Sequence, residues 1–131
     1  VKEHTKNFET IPVTPEGVVD LAALEALLKQ EKTSLVSVMA VNNETGVIQP
    51  TAEISALAHK YGALYHCDGV QAAGRIPLSI SEMGIDFLTL SAHKIGGPHG
   101  VGALVLGLCG ITPTLLHGGG QEKRARAGTE N

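Results

Sequence analysis

The chain has 131 residues, 43% hydrophobic and 18% charged, a balance that suits one folded domain and excludes a chain disordered by composition. Its formal net charge of −3 argues against a general nucleic-acid binder. No run of 18 apolar residues is present, so no helical membrane span is expected, and no signal peptide is visible at the N-terminus.

Aromatic residues make up only 3% and there is no Trp, so small and aliphatic side chains must fill the core, as in many α/β proteins. Cys67 and Cys109 have no metal-like spacing, no metal site is expected, and a reducing, cytoplasmic setting suits them better than a disulfide framework. The chain starts without Met and stops where a further helix is expected to begin. The expectation is a segment of a longer protein, with residues 1–131 forming part of one domain.

In chain order, residues 8–13 suit a short extended piece, closed by Pro12 and Pro15. Asp20 is a good N-cap for a helix whose apolar stripe is Leu21, Leu24, Leu27 and Leu28, with Val19 and Leu24 placed as a hydrophobic staple. That helix is expected to end near residues 30–32. Residues 35–41 are a near-continuous apolar run rich in β-branched side chains, which predicts a strand covered on both faces. Asn42-Asn43-Glu44-Thr45-Gly46 is a turn. A helix follows over about 51–61, with Ile54, Leu57, Ala58 and Tyr61 on one face and Gly62 as its stop.

Residues 63–67 read as the next strand, with Asp68-Gly69-Val70-Gln71 just past its end. A short helical piece is expected over 79–83. Two apolar strands, 85–90 and 101–106, then bracket Ser91-Ala92-His93-Lys94 and the glycine-rich Ile95-Gly96-Gly97-Pro98-His99-Gly100. The alternation predicts an α/β fold with a mainly parallel sheet flanked by helices. In such sheets ligands bind beyond the C-terminal ends of the strands. Asn43, Asp68 and the segment 91–94 all fall there.

Lys94 is the focus of that coincidence. A lysine between two buried strands is an odd place for a solvated cation, because its ammonium is costly to desolvate. Schiff-base chemistry with a carbonyl cofactor such as pyridoxal phosphate gives it a purpose. Asp68 can pair with a protonated pyridine nitrogen and so keep the ring an electron sink; read alone, it is also a turn cap before Gly69. Gln71 can reach a phenolic oxygen, or can be a surface glutamine. Asn43 can bond to cofactor or substrate carboxylate, or simply make the turn. Ser91 and His93, with free N–H groups of the glycine loop, suit a phosphate; His93 also reads as a satisfied core histidine, and so does His66. Thr129 and Arg126 lie in a segment that can reach a phosphate, or serve as a helix cap and a solvated charge. Cys67, at a strand end and buried, is expected to be inert, and Cys109 has no partnering base in sequence.

Taken together, Val41-Asn42-Asn43-Glu44-Thr45-Gly46, Tyr65-His66-Cys67-Asp68-Gly69-Val70-Gln71, Ser91-Ala92-His93-Lys94-Ile95-Gly96-Gly97-Pro98, His117-Gly118-Gly119-Gly120-Gln121-Glu122 and Arg126-Ala127-Gly128-Thr129 resemble the cysteine desulfurases of the NifS/IscS type, within the class V aminotransferase group. The resemblance spans nearly the whole chain. It implies part of the large domain of a pyridoxal 5'-phosphate enzyme of the aspartate-aminotransferase fold type, working as a homodimer. It implies Lys94 as the Schiff-base lysine, Asp68 as the pyridinium partner and Gln71 as the phenolate partner. It further implies Ser91 and His93 as phosphate ligands, Asn43 beside cofactor and substrate carboxylate, and Thr129 reaching the phosphate held by the other subunit.

The implied reaction takes sulfur from L-cysteine, leaves L-alanine, and passes the sulfur through a persulfide to an acceptor or scaffold protein for iron–sulfur cluster assembly. The family's nucleophilic cysteine, its cofactor-stacking histidine and its carboxylate-gripping arginine belong to regions outside these motifs, so the isolated 131 residues are expected to be inactive. Selenocysteine lyase, another class V aminotransferase or lyase, and a non-catalytic truncated scaffold are the alternatives. A generic nucleotide-binding domain fits less well, because no G-x-G-x-x-G segment opens a helix after a strand and Lys94 stays unexplained.

Overall fold

The computed structural model describes residues 7–107 together with Gly110 and Ile111. The elements run α1 (Leu21–Gln30), β1 (Leu35–Met39), α2 (Thr51–Lys60), β2 (Leu64–Asp68), β3 (Phe87–Ser91), a single 3-10 turn over Ala92–Lys94, and β4 (Gly102–Leu106). Helix α1 starts where the local chemistry directs: the Asp20 carboxylate accepts the N–H groups of Ala22 at 2.9 Å and Ala23 at 3.0 Å. Val19 and Leu24 are both buried, as a staple requires. Ahead of it, Val13 bridges Val19 in antiparallel fashion, so the predicted extended piece becomes the rim of a loop.

Helix α2 ends at a complete Schellman motif. The N–H of Ala63 donates to the Ala58 carbonyl at 2.9 Å and that of Gly62 to the His59 carbonyl at 3.0 Å. Gly62 has φ +77°, a conformation that an L side chain resists. The expected stop is therefore the real one.

The four strands form one sheet in the order β1-β2-β3-β4. β1 pairs with β2 and β2 with β3 in parallel, and β4 returns antiparallel to β3. The architecture is α/β with a mainly parallel sheet. Leu24 and Leu28 of α1, Ile54 and Ala58 of α2, and Val36, Tyr65, Cys67 and Leu88 of the sheet make one core. The four sheet residues share one face, since Val36 pairs with Tyr65 and Cys67 with Leu88.

Three expectations change. β1 is not covered on both faces: Val36 is buried, but Leu35 and Met39 on the other face are exposed. Both helices of the described residues contribute to the core on the Val36 face, so the other side has no helix over it there. Residues 79–83 form a turn and not a helix. One helical bond, from Met83 N to the Ser79 carbonyl, is followed by a bond from Ile85 to Ile80 that ends the winding. Lys94 is exposed, not buried, because its turn projects beyond the strand ends instead of lying between the strands. No helix of the described residues is long and apolar enough to cross a membrane.

Candidate functional site

Three strand ends converge. Asn43 lies in the turn after β1, Asp68 closes β2, and Lys94 closes the turn after β3. Together with Gln71 they line a cleft of about 270 Å³ whose apolar walls are Met39, Val41 and Val70. Met39 and Asp68 are register partners on the face away from the core, which is why both reach the same cleft.

The turn after β1 divides the work between two asparagines. Asn42 makes the turn, its side-chain oxygen accepting from Glu44 N at 2.8 Å and Thr45 N at 3.0 Å. Asn43 is thereby free to face the cleft. The strand interior anchors Asp68: Ala40 N donates to its carbonyl at 2.8 Å. Its carboxylate accepts the Val70 N–H at Oδ1, 2.9 Å away. Among the described residues no hydrogen bond engages Oδ2. Gln71 is steadied by Arg75, whose guanidinium donates to the Gln71 carbonyl at 3.1 Å.

Lys94 is placed by a tight turn, with Ile95 N and Gly97 N both donating to the Ala92 carbonyl, at 3.0 and 2.8 Å. A Cβ at position 97 would stand 2.8 Å from the Ala92 methyl and 3.1 Å from its carbonyl oxygen, so only Gly fits without displacement. Ser91 and His93 are brought together, Oγ to Nδ1 at 2.9 Å, and the His93 ring stacks on His99 with centroids 4.9 Å apart. Neither Ser91 nor His93 lines the cleft itself. Thr129 and Arg126 lie outside the described residues, as does Cys109.

Several contributors escaped the sequence reading. The apolar walls Met39, Val41 and Val70 were legible only as spacing, each two residues from a polar neighbour or strand partner. His66, left open between roles, bridges Ser37 Oγ at 2.8 Å and Thr89 Oγ1 at 2.7 Å across three strands. Burial lowers its pKa, against a smaller opposite pull from the Asp68 carboxylate. Cys67 is fully buried, and burial pushes its thiol up to about 11, so it is protonated at neutral pH. A larger cleft of about 630 Å³ lies at the other end of the parallel strands, between His59, Ile80 and Leu106. The smaller cleft is the better candidate, because an amine, a carboxylate and two amides converge there at the C-terminal strand ends.

That donor set suits a flat heteroaromatic ring. The apolar walls can hold its faces, the open Asp68 oxygen a ring N–H, the amides its oxygens, and the Lys94 amine a carbonyl carbon. The site therefore fits an aldehyde-bearing pyridine cofactor by chemistry, inside a fold that places it at the strand ends.

The chain belongs to the class V aminotransferases, a family dependent on pyridoxal 5'-phosphate: the family model, Aminotransferase class-V, matches residues 1–129. Within it, the chain is 50% identical over 121 residues to a cysteine desulfurase of Klebsiella pneumoniae, covering 92% of this chain and 30% of that protein. It thus spans under a third of that relative's length. Among solved structures, a NifS-like protein from Rickettsia africae matches with a TM-score of 0.91 and 47% identity, over 99% of this chain and 37% of that one. A second, SspA in complex with cysteine, matches at TM-score 0.79 and 35% identity, over 88% of this chain and 33% of that one.

Proposed function

We propose that this chain is the cofactor-holding part of a cysteine desulfurase, and that the cleft between Asn43, Asp68, Gln71 and Lys94 is where pyridoxal 5'-phosphate sits. The convergence of those four side chains on one strand-end cleft is the observation that carries the reading. When bound, the cofactor supplies an electron sink for the carbon beside a substrate amine.

The protein's own groups divide the rest. Lys94 Nζ would hold the cofactor through its carbonyl carbon and, when freed by a substrate amine, would be the base placed to move the proton of the carbon beside that amine. Its exposure on a short turn leaves it room to swing between those tasks. Asp68 Oδ2 keeps a proton on the ring nitrogen, while Val70 N fixes the carboxylate through Oδ1. The Gln71 amide donates to the phenolic oxygen. Asn43 closes the side wall and bonds the substrate carboxylate. Ser91 and His93 take the phosphate, with Thr129 reaching the phosphate of the second subunit of a homodimer.

The substrate is L-cysteine and the products are L-alanine and sulfur, which leaves bonded to an acceptor thiolate as a persulfide for iron–sulfur cluster assembly. A buried, protonated thiol is no acceptor, which excludes Cys67 from that role. Cysteines without disulfide or metal spacing suit a reducing compartment such as the cytoplasm.

Borohydride reduction of the intact protein with pyridoxal phosphate, followed by peptide mapping, is expected to label Lys94. A folded protein with no label there overturns the cofactor reading. Sulfide and alanine release from cysteine then separates a desulfurase from an aminotransferase, which would give a keto acid instead.

A further inference from the structure

On the open face of the sheet, one row below Asp68, the His66 ring spans three strands. Its Nδ1 meets Ser37 Oγ of β1 at 2.8 Å and its Nε2 meets Thr89 Oγ1 of β3 at 2.7 Å. Ser37 is the register partner of His66, and Thr89 is the register partner of Asp68, so the second bond runs diagonally toward the row that holds the carboxylate. A neutral imidazole offers one N–H and one lone pair, and each hydroxyl can answer either. The bridge is therefore complete whichever nitrogen of the ring carries the proton, because each hydroxyl turns to donate or to accept as the ring requires.

The groups facing His66 are few. β1 contributes Ser37, β3 contributes Thr89 and its register partner Phe87, and its own strand contributes Asp68. Asp68 is the charge that acts on it, and burial outweighs that charge. Backbone bonds already tie the Asp68 segment to both neighbours, from Ala40 N to the Asp68 carbonyl and from Gly69 N to the Thr89 carbonyl. The imidazole adds a side-chain tie on the same face as the carboxylate.

We propose that His66 is a positioning residue for Asp68: by bridging Ser37 and Thr89 it locks the spacing of the three strands beneath the carboxylate and so sets how firmly Asp68 holds a ring proton. This rests on the cofactor reading above. Three variants separate the roles. His66→Leu removes both bonds. His66→Gln keeps a donor and an acceptor without titrating. Thr89→Val cuts one end and covers the case in which His66→Leu does not fold.

In the cofactor-free protein, nitrogen NMR of the histidine rings at neutral pH is expected to show both His66 nitrogens hydrogen-bonded; a ring nitrogen without a partner overturns the bridge. In the cofactor-loaded intact protein, His66→Leu and Thr89→Val are expected to shift the pH midpoint of the visible band by about half a unit or more, while Lys94 still takes the borohydride label. His66→Gln is expected to restore the wild-type midpoint. A wild-type midpoint in both His66→Leu and Thr89→Val overturns the positioning role. Loss of the label from the wild-type protein overturns the cofactor reading, an outcome distinct from either.

Discussion

The Asp68 carboxylate is pinned by the N–H of Val70, two residues on, through a 2.9 Å bond to Oδ1. The backbone of the turn thus orients the carboxylate in the cleft that Lys94 also lines. Orientation of this kind makes a charged group effective, because its direction is set before the ligand arrives.

Asp68→Asn keeps the size of the side chain and removes its charge. In the intact protein it is expected to lower sulfide release by roughly 10²–10³-fold, the usual loss when a preorganised electrostatic group is removed. Borohydride labelling of Lys94 is expected to persist, which separates a catalytic defect from loss of the cofactor.

Cys67 supplies the second expectation. Its thiol is fully buried and pushed up to about 11, first by desolvation. At pH 7–8 iodoacetamide is expected to leave it unmodified in the folded protein and to modify it rapidly in denaturant. Cys67→Ala in the intact protein is expected to retain sulfide release, since a buried, protonated thiol is a poor sulfur acceptor; a complete loss of activity with an intact fold would place it in the chemistry after all.

Glu25 ties α1 to α2. Its Oε1 accepts from Lys60 Nζ at 2.7 Å and from Tyr61 OH at 2.8 Å, and these bonds, Lys60 first, hold its carboxyl at about 2. A carboxyl with a depressed folded pKa stabilises the fold above its unfolded value and loses that contribution as pH falls. The loss is expected between about pH 4.5 and pH 2. Urea midpoints across that window are expected to fall less steeply in Glu25→Gln than in the wild type.

Tyr65 places its hydroxyl in the core, where it has no hydrogen-bond partner among the described residues. The Cys67 thiol beside it is a weak partner at best. Tyr65→Phe removes a buried polar atom at nearly constant shape. Denaturant unfolding is expected to show no loss of stability and a gain of up to about 1 kcal/mol. A loss of more than about 1 kcal/mol would mean that the hydroxyl is satisfied after all.

The cap at Asp20, the stop at Gly62 and the placement of Asn43 and Lys94 after strands were all legible in the chain, while Asp68, expected just past its strand, is the last residue of β2. Each depends on neighbours within a few residues or on the strand period. The role of Asn42 against Asn43 was not legible, because two adjacent asparagines offer the same side chain and only the backbone path selects the one that makes the turn. The exposure of Lys94 ran against expectation for a related reason. Apolar flanks show that strands lie on both sides of a turn, not how far the turn projects beyond them. His66 looked like any core histidine until β1 and β3 brought Ser37 and Thr89 to its two nitrogens.

Local sequence settled where the helices start and stop, which residues alternate along each strand, and which chemistry-bearing side chains stand at strand ends. These follow from short-range sterics and hydrogen bonding. Tertiary structure alone settled that β4 runs antiparallel to β3, that the core lies on one face of the sheet, and that a carboxylate, two amides and an amine share one cleft. Those outcomes depend on register and packing between residues more than ten positions apart, to which no local window has access.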